Sequence, residues 1–387
     1  MSKITVSAPG KCILFGEHAV VYGHPAVAVA IDRRISVSIQ PSKTGSWLLD
    51  GNELNMSKNP HISGLIKKLW PADLGAPALS IQIEGNIPRS SGLGSSAALS
   101  VAFAGALRLA RGRWLTAPDS NQQQHWAEGF SSSISQTNPY DLSCGFFATN
   151  PTNELHHLSG MDAIDLDEIA ILSHGAEANA QNGRASPMDS STCAHGNIVV
   201  ISNKIERNID YLYQRNLTTH GSEISWHIHA LELVQQPDDV YLVIGNTGIN
   251  APTGKQVAKL AELLRQNPIK MKEVETIGKI ARRGIDALLG GDYDAVGRSM
   301  SENQLMLKSI GVSSPELEQL IKAASPTSLG AKLTGAGGGG CMVALTRNPQ
   351  LTSDAIELAG GRTFITKLGT AGLTVETNDI TPIWTKS

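Results

Sequence analysis

The stretch from Ile87 to Leu99, Ile-Pro-Arg-Ser-Ser-Gly-Leu-Gly-Ser-Ser-Ala-Ala-Leu, has a composition that suits anion binding. Gly92 and Gly94 lack a Cβ atom, so the backbone can approach an anion closely. From Ser95 the sequence becomes rich in alanine and leucine, which predicts a helix up to about Arg111. The N–H groups and the dipole of a first helical turn attract phosphate. Taken alone, the stretch fits a phosphate-binding loop and an ordinary loop capped by Ser95 equally well.

A second glycine-rich segment runs from Lys332 to Leu345 and places four consecutive glycines before a predicted strand that starts at Cys341. Glycine loses more conformational entropy on folding than any other residue, so four of them would be wasteful in a plain turn. The segment therefore favours a backbone that passes close to a ligand or to the first glycine loop, over a simple hairpin.

Three polar residues, Lys11, Glu17 and His18, interrupt an otherwise apolar segment near the N-terminus. A surface lysine followed by a Glu-His turn would explain them without any function. The alternative is the wall of a substrate pocket, which needs a few hydrogen-bonding groups in a fixed frame.

Two further carboxylates are candidates for chemistry. Glu177 lies on a predicted helix from Asp165 to Ala180, and Asp189 ends the turn Gly-Arg-Ala-Ser-Pro-Met-Asp. An acid in such a turn is more often a local cap than a catalyst. Near a phosphate-binding loop, however, one carboxylate could hold Mg²⁺ while the other orients or deprotonates a hydroxyl.

The composition sets the framework for these residues. The 387 residues suffice for two domains, and we expect an N-terminal domain over 1–205 and a C-terminal domain over 206–387, because polar residues crowd the segment near 204–220. Residues 112–162 are polar and irregular, which predicts a peripheral insertion whose role is open.

The charge, the apolar runs and the cysteine spacing bear on several classes of protein. A net charge of −3 with 17% charged residues gives no basic excess for binding nucleic acid. We find neither a signal peptide nor a membrane-spanning run, and the four cysteines are too dispersed to indicate a zinc site or a disulfide framework. A cytoplasmic metabolic enzyme is the expectation.

Three segments in this order resemble the signature motifs of the GHMP small-molecule kinases: Pro9 to Gly23, Pro88 to Ala98 and Lys332 to Cys341. Within that superfamily, the phrase Gly-Glu-His-Ala-Val-Val-Tyr-Gly and the segment that ends at Asp189 are most similar to the archaeal mevalonate kinases. The resemblance implies an α/β (α+β) fold of two domains, a ribosomal-S5-like N-terminal domain and a ferredoxin-like C-terminal domain, with ATP and substrate between them.

The resemblance also implies roles for individual residues. Asp189 would act on the substrate hydroxyl with Lys11 beside it, and Glu17, His18 and Thr253 would contact the substrate. Mg²⁺ would be bound by Ser96 and Glu177, although the spacing from Glu177 to Asp189 is one residue longer than is usual in the family. The ATP phosphates would be wrapped by Pro88, Arg89, Ser90, Ser91, Gly92, Leu93, Gly94, Ser95, Ser96 and Ala97, held in place by Gly335, Ala336, Gly337 and Gly338.

The expected activity is ATP-dependent phosphorylation of (R)-mevalonate to (R)-5-phosphomevalonate in isoprenoid precursor biosynthesis. One alternative is a related kinase that acts on phosphomevalonate or a sugar. The other is a catalytically inactive module that kept the nucleotide site. We expect no nucleic-acid or membrane partner, and a homodimer is left open.

Overall fold

The computed structural model describes residues 3–70, 77–88, 91–115, 164–181, 185–219, 222–233 and 237–376. Its strands are β1 (Ile4–Phe15), β2 (Ala26–Pro41), β3 (Leu48–Leu49), β4 (Asn52–Glu53), β5 (Leu79–Gly85), β6 (Ile198–Ser202), β7 (Asp210–Thr219), β8 (Ser222–Leu231), β9 (Tyr241–Asn246), β10 (Gly330–Thr334), β11 (Cys341–Thr346), β12 (Arg362–Lys367) and β13 (Thr374–Val375). Its α-helices are α1 (Pro60–Leu69), α2 (Ser95–Leu115), α3 (Leu166–Ala180), α4 (Met188–His195), α5 (Thr253–Gln266), α6 (Met271–Leu289), α7 (Tyr293–Ser309), α8 (Pro315–Ala324) and α9 (Pro349–Leu358).

The larger sheet is built around the long antiparallel pair β1 and β2, whose register runs from Ile4 opposite Ile39 to Phe15 opposite Val27. Its strand order is β4-β3-β5-β2-β6-β8-β7, and β1 pairs with both β2 and β13. Both strands are buried over most of their length because α2 and α4 pack against them. Each fully buried large side chain, such as that of Phe15, contributes roughly 1.5–3 kcal/mol to folding.

Helix α2 begins at Ser95, as predicted, and lies in the core of this unit. Its alanines let it approach the sheet closely, and a Cβ atom on Gly105 would come within 2.7 Å of Leu373. The helix continues to Leu115, beyond the predicted end near Arg111. The first four residues of the predicted insertion over 112–162 are therefore helical, and the rest of it lies outside the described residues.

The smaller sheet has the strand order β10-β11-β9-β12 with every neighbouring pair antiparallel. Along the chain, β9 is followed by α5 to α8, then the hairpin of β10 and β11, then α9 and β12. This β-α-β-β-α-β order is the ferredoxin-like arrangement that the resemblance implied for the C-terminal half.

The division between the two units follows the sheets. The predicted boundary at 205/206 falls between β6 and β7, but β8 pairs with β6 and β7 pairs with β8. We therefore propose that the division lies between Leu231 and Tyr241. The chain also returns to the first sheet near its end, where the guanidinium of Arg34 donates to the carbonyl oxygens of Ala371 and Gly372.

Candidate active site

Lys11 lies in the middle of β1, where its backbone N–H donates to Leu93 O at 2.9 Å. Its ammonium group lies 3.0 Å from a carboxylate oxygen of Asp189 and donates to Gly92 O at 3.0 Å. Burial lowers the pKa of Lys11, but the charge of Asp189, its hydrogen bond to Lys11 and the nearby Cys193 and Cys12 together more than offset this, and the net pKa is raised. A permanently charged lysine thus joins the first glycine loop to Asp189.

Asp189 occupies the first turn of α4, with Pro187 rather than Asp189 at the N-cap position. The cap interpretation of this acid is therefore wrong. About a third of the Asp189 side chain remains exposed, whereas the Lys11 side chain is 3% exposed. The carboxylate thus faces the cleft, where a second molecule can reach it.

Ser96 and Glu177 meet across two helices, with the Ser96 hydroxyl donating to Glu177 Oε1 at 3.0 Å. Ser96 lies in the first turn of α2 and Glu177 in the last turn of α3. Burial and, after it, the charge of Asp189 raise the pKa of Glu177 to about 8, although the Ser96 hydrogen bond and the charge of Lys11 oppose the shift. Two carboxylates and a hydroxyl thus converge at one side of the cleft. Ser96 and Lys11 only partly offset the effects of burial and of the Asp189 charge on the pKa of Glu177.

The two glycine-rich segments pack directly against each other. Cys341 N–H donates to Ser91 O at 3.1 Å, and a Cβ atom on Gly92 would lie 3.0 Å from Thr334 O. Gly92 and Gly335 both have a positive φ, which favours glycine at these positions. The second segment therefore supports the first from behind. Arg89 and Ser90 lie outside the described residues.

Glu17 and His18 line the cleft in different ways. The Glu17 carboxylate is buried in an ion pair with Lys332, the first residue of the second glycine-rich segment. His18 Nε2 lies 3.0 Å from Ala336 O, and burial lowers the pKa of His18 to about 4. His18 is therefore neutral at pH 7, and Glu17 already has a strong partner. Lys332 is not among the site residues predicted from the sequence. The one indication of its role there is that it opens the second glycine-rich motif.

The described residues that line this cleft come from the larger sheet and its helices, and from α5 and the loop after β10 of the smaller unit. They include Lys11, Glu17, His18, Gly92, Ser96, Glu177, Gln181, Ala185, Ser186, Met188, Asp189, Val257, Gly335 and Ala336.

Comparisons with known proteins match this arrangement over nearly the whole chain. Residues 61–136 match the family described as GHMP kinases N terminal domain, and residues 285–358 match GHMP kinases C terminal. The mevalonate kinase of Thermococcus onnurineus is 31% identical, with 97% of this chain and 98% of that protein covered. The chain belongs to the mevalonate kinase family of GHMP kinases. A second relative of this family, from Methanothermobacter thermautotrophicus, is 30% identical over 88% of this chain and 90% of its own length.

Solved structures of this kinase family share the fold. The crystal structure of the Methanococcus jannaschii mevalonate kinase has a TM-score of 0.62 at 23% identity and covers 95% of this chain and 98% of that one. The crystal structure of the L. major mevalonate kinase in complex with R-mevalonate has a TM-score of 0.61 at 22% identity. The match covers 95% of this chain and 96% of that one. The predicted two-domain α/β kinase fold is confirmed. None of the helices within the described ranges is long and apolar enough to span a membrane.

The remaining positions suggested by the family resemblance have three different surroundings. Pro88, Leu93 and Ala97 support the first loop from within: Pro88 O accepts from the Ser91 hydroxyl at 2.7 Å, and Leu93 and Ala97 are buried. Gly337 and Gly338 pack against Val312 and Gln256 instead of lining the cleft. Thr253 is the first residue of α5, whose Val257 reaches the cleft, but the Thr253 side chain lies outside the described part.

Proposed function

We propose that the chain transfers the γ-phosphoryl group of ATP to the 5-hydroxyl of (R)-mevalonate, which gives (R)-5-phosphomevalonate and ADP. The observation that carries this proposal is the 3.0 Å pair of Lys11 and Asp189 at the edge of a glycine loop that opens a helix. The full-length relatives named mevalonate kinase support the choice of acceptor.

The triphosphate would lie at the N-terminus of α2, along the loop around Gly92 and Gly94. The positive φ angles of both glycines and the dipole of α2 suit a backbone that binds phosphate oxygens. Because the second glycine-rich segment packs behind this loop, the loop is held in place before ATP arrives. Such preorganisation supplies much of the catalysis in phosphoryl transfer, where positioning and charge neutralisation dominate.

Asp189 and Lys11 would handle the acceptor hydroxyl. The hydroxyl oxygen attacks the γ-phosphorus of ATP, its proton passes to the Asp189 carboxylate, and the bond to the β–γ bridging oxygen breaks to release ADP. Lys11, held by its hydrogen bond to Gly92 O, compensates the negative charge on Asp189 and on the transferring phosphoryl group. Both groups are held by strand β1 and helix α4, so the acceptor meets a rigid pair.

Mg²⁺ fits the donor set on the adjacent wall. Ser96 and Glu177 would provide hard oxygen ligands, and burial raises the pKa of the Glu177 carboxyl although the charge of Lys11 opposes this shift. Within the described ranges no group of three or more His, Cys, Asp or Glu side chains forms a metal site, so phosphate oxygens and water would complete the coordination. When bound, Mg²⁺ would neutralise charge on the ATP phosphates.

The charges in the cleft favour an acceptor without a phosphate group. Among the described residues that line it, Lys11 is the one lysine or arginine, while Glu17, Glu177 and Asp189 are acidic. Phosphomevalonate would need further cations to bind its phosphate. The intact pair of Lys11 and Asp189 argues against an inactive nucleotide-binding module. We also propose a cytoplasmic location, which suits an ATP-dependent step on a small polar metabolite.

A coupled ADP-release assay tests the proposal with mevalonate, phosphomevalonate, homoserine, galactose and shikimate as acceptors. Mevalonate should give the highest kcat/KM. A clear preference for any other acceptor would overturn the substrate, and ATP binding without turnover of any acceptor would favour the inactive module.

A further inference from the structure

A buried histidine and arginine lie behind the cleft, outside the residues assigned above. His174 is on α3, one turn before Glu177, and is fully buried. Its Nδ1 accepts a hydrogen bond from Arg215 Nε at 2.9 Å, and its Nε2 lies 3.0 Å from Ala185 O. Arg215 is on β7 and is itself 4% exposed.

These contacts fix the tautomer of His174. The Nε–H of Arg215 can only donate, so Nδ1 must carry a lone pair. The ring proton is then on Nε2, which donates to Ala185 O. Burial and the positive charge of Arg215 lower the pKa of His174 to about 3, so the ring stays neutral. Arg215, His174 and Ala185 therefore form a directed chain of hydrogen bonds.

This series of hydrogen bonds ends at Ala185, on the segment that leads to Asp189. Ala185 and Ser186 line the cleft, and Asp189 follows three residues after Ser186. Two residues before Arg215, the Tyr213 hydroxyl lies 2.8 Å from the Ser191 hydroxyl, just beyond Asp189. Side chains at i and i+2 share one face of a strand, so one face of β7 braces the segment on both sides of Asp189.

We propose that His174 and Arg215 are positioning residues that hold the segment from Ala185 to Asp189 so that the Asp189 carboxylate faces Lys11. They act through Ala185 O and do not line the cleft themselves. The inference rests on the proposed phosphoryl transfer, in which Asp189 receives the acceptor proton.

Two substitutions at His174 separate the two hydrogen bonds. H174Q retains a donor near the Nε2 position, whereas H174N retains an acceptor near the Nδ1 position and loses the donor to Ala185 O. We expect H174N to lower kcat for the preferred acceptor about tenfold, because small displacements of reacting groups are costly. H174Q should stay within about threefold of the wild type, and the KM for ATP should stay within about twofold in both.

A matched control is H229N on β8. His229 is also fully buried, but it accepts from Glu206 N–H and does not line the cleft. It should lose stability to urea as H174N does, with unchanged kcat. Wild-type kcat in H174N, or an equal drop in H229N, would overturn the inference. If H174N does not fold, H174A, which also lacks the donor to Ala185 O, serves instead, and wild-type kcat there would overturn the inference as well.

Long-range ¹H–¹⁵N spectra of the wild-type protein provide a readout that does not depend on turnover. The proton of His174 should be on Nε2. A proton on Nδ1 would overturn this inference but not the proposed function. Absence of mevalonate-dependent ADP release in the wild type would instead overturn the proposed function.

Discussion

Replacing Glu177 with glutamine should remove a large pH dependence from the stability of the ligand-free protein. The Glu177 carboxyl is 3% exposed, and its pKa rises from the ordinary 4.5 to about 8, through burial first and then through the charge of Asp189. Glutamine has nearly the same shape and keeps an oxygen that can accept from Ser96, but it does not titrate. The variant therefore isolates the cost of ionising this one carboxyl.

The sign follows from proton binding in the two states. Below pH 4.5 the folded and unfolded chains both carry the Glu177 proton, and the full stability is present. Between pH 4.5 and 8 the folded chain keeps a proton that the unfolded chain has lost, so stability falls as pH rises. At about 1.4 kcal/mol for each pH unit, the interval between the two pKa values amounts to roughly 5 kcal/mol.

Urea unfolding at pH 5, 7 and 8.5, without ATP or Mg²⁺, measures this term. Relative to the wild type, E177Q should be similar at pH 5 and more stable by several kcal/mol at pH 8.5. E168Q is the matched control, because Glu168 is a buried acid of the same helix that pairs with Arg108. The stability of E168Q should fall with rising pH as steeply as that of the wild type, since Glu177 is still present. An equal decline in E177Q and the wild type would refute the reasoning.

The remaining predictions concern the cleft. D189N should lower kcat by about 10²–10⁴-fold while ATP affinity by calorimetry stays within about twofold, and unchanged kcat would remove Asp189 from the mechanism. K11M should lower kcat by about 10²–10³-fold in the same assay, because it removes a preorganised cation; a change confined to KM would contradict this role. G92A should weaken ATP binding, since its Cβ would meet Thr334 O at 3.0 Å on a positive-φ backbone. The control G64A lies on α1 in open space and should raise stability by roughly 0.5–1 kcal/mol with ATP affinity unchanged.

Local signals allowed much of the fold to be predicted. Helix α2 starts at Ser95, where the glycine loop gives way to strong helix formers, and α3 begins after Asp165, whose side chain caps it by accepting from Asp167 N and Glu168 N. Both features depend on residues close together in the chain, which is why composition and spacing reveal them.

The strand pair β7 and β8 was harder to recognise, because Gln214, Arg215 and Asn216 give the segment the polarity of a linker. The structure shows that one face of this edge pair is buried, with Tyr213 and Trp226 nearly inaccessible. Arg215 is polar but also buried, where it bonds to a histidine from a distant helix. The alternation of apolar and polar residues that marks a strand is therefore not visible in the sequence when a buried position carries a charged residue.

Contacts between distant residues could not be derived from the sequence pattern. Lys11 and Asp189 are 178 positions apart, and their proximity was expected only through the resemblance to the kinase family. The ion pair between Glu17 and Lys332 was not predicted, because the position of Lys332 at the start of a glycine-rich motif does not show that the lysine is buried. The spacing from Glu177 to Asp189, one residue longer than usual, still leaves Glu177 in contact with Ser96.

Mevalonate-dependent ADP release by the wild type, K11M and D189N, measured side by side with ATP binding, tests the central claim most directly. The account predicts turnover in the wild type, its loss by at least about 10²-fold in both variants, and retained ATP binding in all three. Wild-type turnover in either variant, or no mevalonate-dependent turnover in the wild type, would contradict it.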